Sequence, residues 1–241
     1  MIPVDSLLYK IDQKLNKLST GKHQQIQLED KILVLNEAQI LLIKQKVNPD
    51  ELGLGMDSTK KRYEDLQNLI EDFKDHKLTL VESDKTLHMW TASLEGITPE
   101  YMFYADSYVL ADKGRCKDRI IWINKDLLKH GDAQFLINNE NYKPSFEYQE
   151  TFNYLSSDKI SIFTDGTFTP KFLYLSYIRY PRYIDKEGYI KLDGTPSSNQ
   201  DCELKKYLED ELLDLTVELL AMYTENSSAI QSAKLRIQAS E

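Results

Sequence analysis

The sequence is poor in the residues that carry covalent or metal chemistry. Among 241 residues there are two cysteines, Cys116 and Cys202, and four histidines, His23, His76, His88 and His130. Two cysteines so far apart do not make a disulfide framework, and a reduced, cytosolic thiol state is the simpler expectation. No histidine stands at ligand spacing from a cysteine, so no metal site is expected. Glycine is scarce, at nine residues. There is no glycine-rich phosphate cradle and no G-x-S-x-G elbow. These absences leave no catalytic constellation, and the expectation is a protein that is not an enzyme and takes no cofactor. No apolar run approaches the ~18–20 residues of a membrane helix. The opening Met1-Ile2-Pro3-Val4-Asp5 has neither a charged n-region nor an apolar h-region. Neither a membrane span nor a signal peptide is expected.

Positive charge is also in deficit. Lys plus Arg number 30 against 39 Asp plus Glu, a net charge of −9. Residues 201–241 hold four basic and nine acidic side chains, so −5 of the −9 sits at the C-terminal end. Clamping a nucleic-acid backbone requires phosphate neutralisation by Lys and Arg. An acidic chain does not offer that, although an acidic surface suits a passage through which DNA slides without sticking.

The richest patterning lies in 171–223. A strand-like run, Phe172-Leu173-Tyr174-Leu175-Ser176-Tyr177-Ile178-Arg179-Tyr180, stops at Pro181. A turn-rich connector, 182–201, leads to an amphipathic helix expected over 203–223. Leu204, Leu208, Leu212, Leu215 and Leu219, followed by Met222, recur three or four apart, which places them on one face. Each buried leucine contributes roughly 1.5–3 kcal/mol, so this helix should be a main support of the fold. Tyr207, Leu213, Leu220 and Tyr223 widen the apolar stripe. Asp201 and Glu203 are expected at its start, where the helix dipole favours acids. The cluster Glu209-Asp210-Glu211 reads as a solvated helix face rather than a metal site.

The N-terminal part carries helical periods. A first helix is expected with Asp5 as its N-cap and Leu7, Leu8, Ile11, Leu15 and Leu18 on one face. Lysines occupy its other face. A second, over 30–47, is apolar around most of its circumference, which places it centrally in a bundle. It ends before Pro49. A third is expected over 59–76, capped by Asp57 or Ser58, with Tyr63, Leu66, Leu69, Ile70 and Phe73 on its face. From Leu78 the period changes. Residues 87–94 fit a strand or a helix equally well. Tyr101 to Ala111 and Arg119 to Ile123 read as a hairpin about the Asp112-Lys113-Gly114 turn. Residues 126–128 suit a helical turn and 131–150 an ordered loop. Ile160 to Thr164 reads as a strand, with a tight turn at Asp165-Gly166. The terminal segment 227–240 suits a helix or an arm. The expected fold is α+β: mainly an α-helical bundle of N-terminal helices plus a long C-terminal helix, with a β-rich insertion. The expected parts are 1–77, 78–200 and 201–241, forming one composite domain.

Fifteen tyrosines stand out. Tyrosine suits interfaces because it joins a large apolar ring to a polar tip. Tyr177, Arg179, Tyr180, Pro181, Arg182 and Tyr183 form a cationic–aromatic patch. Such a patch can stack on bases, but in an acidic chain a protein interface is the better reading, since Arg and Tyr are enriched in hot spots.

Around this patch the ordered set Tyr177-Ile178-Arg179-Tyr180-Pro181-Arg182, Tyr189-Ile190, Asp193-Gly194-Thr195-Pro196 and Asp201-Cys202-Glu203-Leu204, followed by the acidic leucine helix, resembles one family. It is similar to the C-terminal part of head-to-tail connector proteins (neck, ring or portal-adaptor type) of tailed bacteriophages, especially crAss-like phages. The resemblance covers 140–223 by pattern and the earlier chain by architecture alone. The motif is a recurring pattern rather than a catalytic signature, and the polar tail after Tyr223 departs from it. The resemblance implies a structural virion protein made in the bacterial cytoplasm and placed in the neck. It implies a self-assembled ring, twelvefold in the family, that docks against the portal and adjacent ring or tail proteins. DNA would pass through its lumen, and Asp210 and Glu211 would be channel-facing acids. Two other classes stay open: an enzyme of unrecognised type, and a binding or regulatory module of a mobile element.

Overall fold

The computed structural model of the protein describes residues 1–18, 26–47, 64–72, 76–114, 116–123, 139, 143–156, 158–191 and 194–223. The chain divides into two compact units: a helical one from Met1–Leu69 with Pro181–Glu241, and a sheet unit, Ile70–Tyr180. The boundaries thus fall after residues 69 and 180, and the first unit is made from both ends of the chain.

The helical unit holds three α-helices among the described residues: α1 (Val4–Leu18), α2 (Leu28–Val47) and α3 (Glu209–Tyr223). Helix α3 packs against both others. Its buried set is Glu209, Leu212, Leu213, Leu215, Thr216, Val217, Leu220 and Ala221, wider than one leucine stripe. Leu204, Leu208, Leu212 and Leu215 are core residues, whereas Leu219 is half-buried and Met222 exposed. The core is completed by Leu7, Ile11 and Leu15 of α1 and by Ile32, Leu35, Ala38, Leu42 and Ile43 of α2. The lysine face of α1 meets the acidic face of α3: Lys10 Nζ lies 2.7 Å from Glu209 Oε1, and Lys14 Nζ 2.6 Å from Asp214 Oδ1. Part of the acidic stripe expected in solvent is therefore paired inside the unit.

Several expectations need correction here. The last helix begins at Glu209, after a 3-10 turn at Lys206–Leu208, rather than near Glu203. Asp201 caps a different helix: its Oδ1 accepts the Val4 N–H of α1 at 3.0 Å, while Asp5 lies in the first turn. Helix α2, expected to be central because it is apolar around most of its circumference, is buried on one side only: Leu33 and Leu41 are exposed, and the polar Asn36 and Gln39 are buried. The third helix does not reach residue 76. The chain makes a 3-10 turn at Gln67–Leu69 and is a strand by Ile70. The rest of that helix, its proposed caps, Tyr63, Phe73, 126–128, most of 131–142 and the tail 224–241 lie outside the described residues.

Among the described residues the sheet unit contains ten strands in two sheets. They are β1 (Ile70–Glu71), β2 (Lys77–Thr79), β3 (Val81–Asp84), β4 (Met89–Ser93), β5 (Tyr101–Lys113), β6 (Cys116–Ile123), β7 (Glu150–Thr151), β8 (Asn153–Ser156), β9 (Lys159–Phe163) and β10 (Thr169–Arg179). One sheet has the order β1-β10-β5-β6-β7, with β2 also on β10; the other is β3-β4-β9-β8. The ambiguous 87–94 segment is thus a strand, and β5 and β6 form the expected hairpin. Residues Val109, Ala111, Ile121, Leu173, Leu175 and Tyr177 from the first sheet share one core with Ala92, Ile160 and Ile162 from the second. Pro170 in β10 stands at a register shift, where a missing N–H is tolerated. Gly166, between β9 and β10, has φ +76°, and a Cβ there would lie 2.8 Å from the His88 ring. Only glycine fits that turn without strain.

The fold is therefore a mixed α+β fold with substantial sheet, not a mainly helical bundle with a β insertion. The reason is that strands such as β2 and β7 are too short to show a period of their own, and each is completed by a strand far away in sequence, β10 for β2 and β6 for β7. Truncating Leu212 to Ala should cost about 2–5 kcal/mol in urea unfolding, because it is wholly buried on the helix that packs against α1 and α2. Met222→Ala, on the exposed side, should change stability by no more than about 0.5 kcal/mol.

Candidate functional site

The segment expected to form the cationic–aromatic patch is divided between the units. Tyr177, Arg179 and Tyr180 belong to the sheet unit, and Pro181, Arg182 and Tyr183 to the helical one. Tyr177 is a core residue. Its side chain points inward from β10, where the ring meets His76 edge-on at 4.8 Å and Tyr101 at 5.6 Å. Its hydroxyl donates to the Pro99 carbonyl at 2.5 Å. Burial, reinforced by the nearby Glu71 carboxylate, pushes that hydroxyl up to about 12. Arg179 is largely buried too, and its Nε lies 2.9 Å from Glu71 Oε1. Of the three, Tyr180 alone presents an exposed ring.

In the helical unit, Arg182 is held by Glu203. Its backbone N–H donates to Glu203 Oε2 at 2.9 Å, and its Nε stands 3.3 Å from Oε1. Its guanidinium stays mostly in solvent. Tyr183 is exposed, and Lys191 Nζ lies 6.0 Å from its ring centroid. The backbone is fixed two residues on. Asn36 of α2 accepts the Ile184 N–H at 2.8 Å and donates to the Ile184 carbonyl at 2.9 Å, acting as a peptide group would. Asp185 then ties the connector together. It accepts from the Tyr189 hydroxyl at 2.7 Å and from the Ser198 N–H at 3.1 Å, and Lys191 Nζ lies 2.8 Å away. Burial alone would raise the Asp185 carboxyl, but these hydrogen bonds outweigh it and hold it below the usual carboxylate range. The connector read as turn-rich from sequence is therefore an ordered polar knot.

The remaining candidates fall in different surroundings. Asp210 is exposed, whereas Glu211 pairs with Lys46 of α2 at 2.6 Å. Cys202 is buried, and burial pushes its thiol up to about 11, which makes it unreactive. Among the described residues no group of three or more His, Cys, Asp or Glu side chains is arranged to hold a metal.

Two exposed apolar surfaces were not singled out from sequence. The first is the outer face of the six-stranded sheet. Two rungs cross it: Thr79, Phe172, Leu110 and Ile120, and beside them Lys77, Tyr174, Tyr108 and Trp122. Tyr108 stacks on Tyr174 at 4.8 Å and leans on Trp122 at 5.5 Å, while Trp122 is 53% and Ile120 41% exposed. The signal was present in the alternation of 108–111 and 119–123, but which parity faced outward depended on strand pairing. The second lies on α2. Leu33, Glu37 and Leu41 share one face at i, i+4, i+8. Tyr223 donates its hydroxyl to Glu37 at 2.9 Å.

No known family model and no curated protein matches the sequence.

Because the folded Asp185 carboxyl is depressed, its contribution to stability is complete above the ordinary carboxylate range, near pH 4, and is lost as the pH falls through the lowered value. Unfolding measured from pH 6 down to pH 2 should show a shallower acid-dependent loss in Asp185→Asn than in the wild type. Equal slopes would mean that the knot does not set acid stability.

Proposed function

We propose that the protein is a non-enzymatic ring subunit of the neck of a tailed bacteriophage, joining the portal to the tail around the DNA channel. The resemblance over 140–223 supports this reading, and one structural observation carries it furthest. Each unit exposes large apolar side chains of its own: Ile120 and Trp122 on the outer sheet face, and Leu33 and Tyr223 on the helical unit. A subunit that binds like neighbours on both sides in a closed ring needs two different adhesive faces, because the contacts are heterologous. Exposed apolar patches rimmed by polar residues mark such contacts. The acidity fits a lumen that DNA traverses, since a wall without a cationic stripe gains little from binding phosphates. Asp210, exposed on α3, is available to such a lumen, while Glu211 would reach it with its charge largely neutralised by Lys46.

Mass photometry and negative-stain imaging of the purified protein, alone and with the cognate portal, test the reading. The expected outcome is a closed ring, of twelve subunits on the family pattern, formed spontaneously or on the portal. A monomer at every concentration, with and without portal, would overturn it and favour a monomeric binding module.

A further inference from the structure

Helix α3 runs antiparallel to α2. Its first turn meets the end of α2, where Lys46 Nζ stands 2.6 Å from Glu211 Oε2, and its last residue meets the middle, where the Tyr223 hydroxyl donates to Glu37 at 2.9 Å. Residues 224–241 therefore set out from the solvent side of α2, beside Glu37. That side of α2 is a narrow stripe. Leu33, 52% exposed, lies on it with Glu37, Leu41 and Lys44 in solvent, Ile40 is half-buried between them, and Asp30 stands at its N-terminal end. Among the described residues Asp30, Glu37 and Lys44 form no ion pair. Asp30 needs none, since it stands in the first turn, where the helix dipole favours an acid. Glu37 and Lys44 are set among apolar side chains, and a segment covering these must bring a cation for the one and an anion for the other, because a desolvated charge is otherwise uncompensated.

The sequence after Tyr223 supplies both at matching places. Residues 224–227 are polar. Ser228-Ala229-Ile230-Gln231 is a capping box, in which the serine side chain and the glutamine three residues on satisfy the first N–H groups of a helix. In a helix that starts there, Ile230, Ala233, Lys234, Ile237 and Glu241 share one face, while Leu235 and Arg236 fall off it. A helix so short is marginal in water and needs a surface to lie on. The link before it, which holds the single charge Glu225, has an ordinary length for a helix–helix connection, about 2–8 residues. A turn in that link returns the chain parallel to α2. In this direction the spacings coincide: Ile230, Lys234, Ile237 and Glu241 follow one another at four, three and four, as do Leu33, Glu37, Ile40 and Lys44. Apolar residues meet apolar ones, Lys234 meets Glu37, and Glu241 meets Lys44. In the opposite direction, with Lys234 still on Glu37, Glu241 would meet Asp30.

We propose that residues 229–241 form a helix that folds back on the exposed stripe of α2 in the same chain, with Lys234 paired to Glu37 and Glu241 to Lys44. The inference goes beyond the ring reading and stands without it. In a ring, a neighbour reaches the α2 face only after this segment has left it, so the tail controls access to that face.

Hydrogen–deuterium exchange of the full chain tests it. Amides 231–240 should be protected by about tenfold or more over an unstructured peptide, since a docked helix exchanges only by opening. Glu37 is exposed, so Glu37→Lys should leave the protection of α1 and α3 unchanged while lowering that of the tail by about fivefold or more. Adding Lys234→Glu to Glu37→Lys should restore it, although the Tyr223 hydrogen bond stays lost. Unprotected tail amides in the wild type, protection untouched by Glu37→Lys, or no recovery in the double variant would each overturn the inference. Protection that appears only as the protein concentration rises would put the tail on another copy and overturn it as well. Ring formation is read separately by mass photometry, so a failure of one reading is distinguishable from a failure of the other.

Discussion

The helical unit exists only because the two ends of the chain are brought together. Its core is α1 and α2 from the N-terminal part against α3 from the C-terminal part, and the bonds that close it span nearly the whole sequence. Ile2 bridges Cys202 through backbone hydrogen bonds in both directions, Val4 is capped by Asp201, and Lys10 pairs with Glu209. Bringing such distant segments together carries a loop-closure cost, but that cost grows only with the logarithm of loop length, at about 0.6 kcal/mol per doubling. The buried leucines of α3 outweigh it easily at roughly 1.5–3 kcal/mol each. A single ion pair would not, because partly exposed pairs contribute about 0–1 kcal/mol. The apolar contact of α3 holds the unit, and the lysine–acid contacts select its alignment.

The sheet unit relieves part of that cost. Its first and last strands, β1 and β10, are hydrogen-bonded neighbours, with Ile70 opposite Ile178. A folded insertion whose ends lie side by side adds little disorder to the chain that hosts it. Strand β10 serves this closure and also the interior. It pairs with β1 and β2 along one edge and with β5 along the other, while Leu173, Leu175 and Tyr177 feed the core. This double duty explains why the run before Pro181 is so strongly patterned, and why Tyr177 and Arg179 are used up inside the unit.

How much of this was legible in sequence follows from whether the signal was local. The leucine spacing of α3 and the Asp165-Gly166 turn depend on residues a few positions apart, and both were readable. So was the β5–β6 hairpin, although β5 runs on through Lys113 and, of the expected Asp112-Lys113-Gly114 turn, only Gly114 lies beyond the strand. The balance of the fold was not readable. Strands as short as β1, β2 and β7 carry no period of their own and are defined by their partners. The same holds for the surfaces. An Arg-Tyr cluster is conspicuous in one dimension, but burial of Tyr177 was decided by the parity of β10, and the Arg179 partner, Glu71, lies 108 residues away. The outer sheet face is the converse case: Lys77, Tyr108, Trp122 and Tyr174 share a rung though they come from four strands.

The acidity of the chain sets a condition on any self-assembly. Copies carrying −9 each repel one another, and a head-to-tail contact has to overcome that repulsion with local terms. Ionic strength separates the two. At physiological salt the screening length is about 8 Å, so charges spread over a whole subunit are largely hidden from those of its neighbour. A contact made of apolar surface does not depend on that screening. Low salt therefore strengthens the repulsion between subunits without strengthening the contact. Moderate salt should favour closure. A rise of association with salt is the signature of an acidic subunit held by apolar surface. A contact made mainly of exposed ion pairs would weaken with salt from the outset.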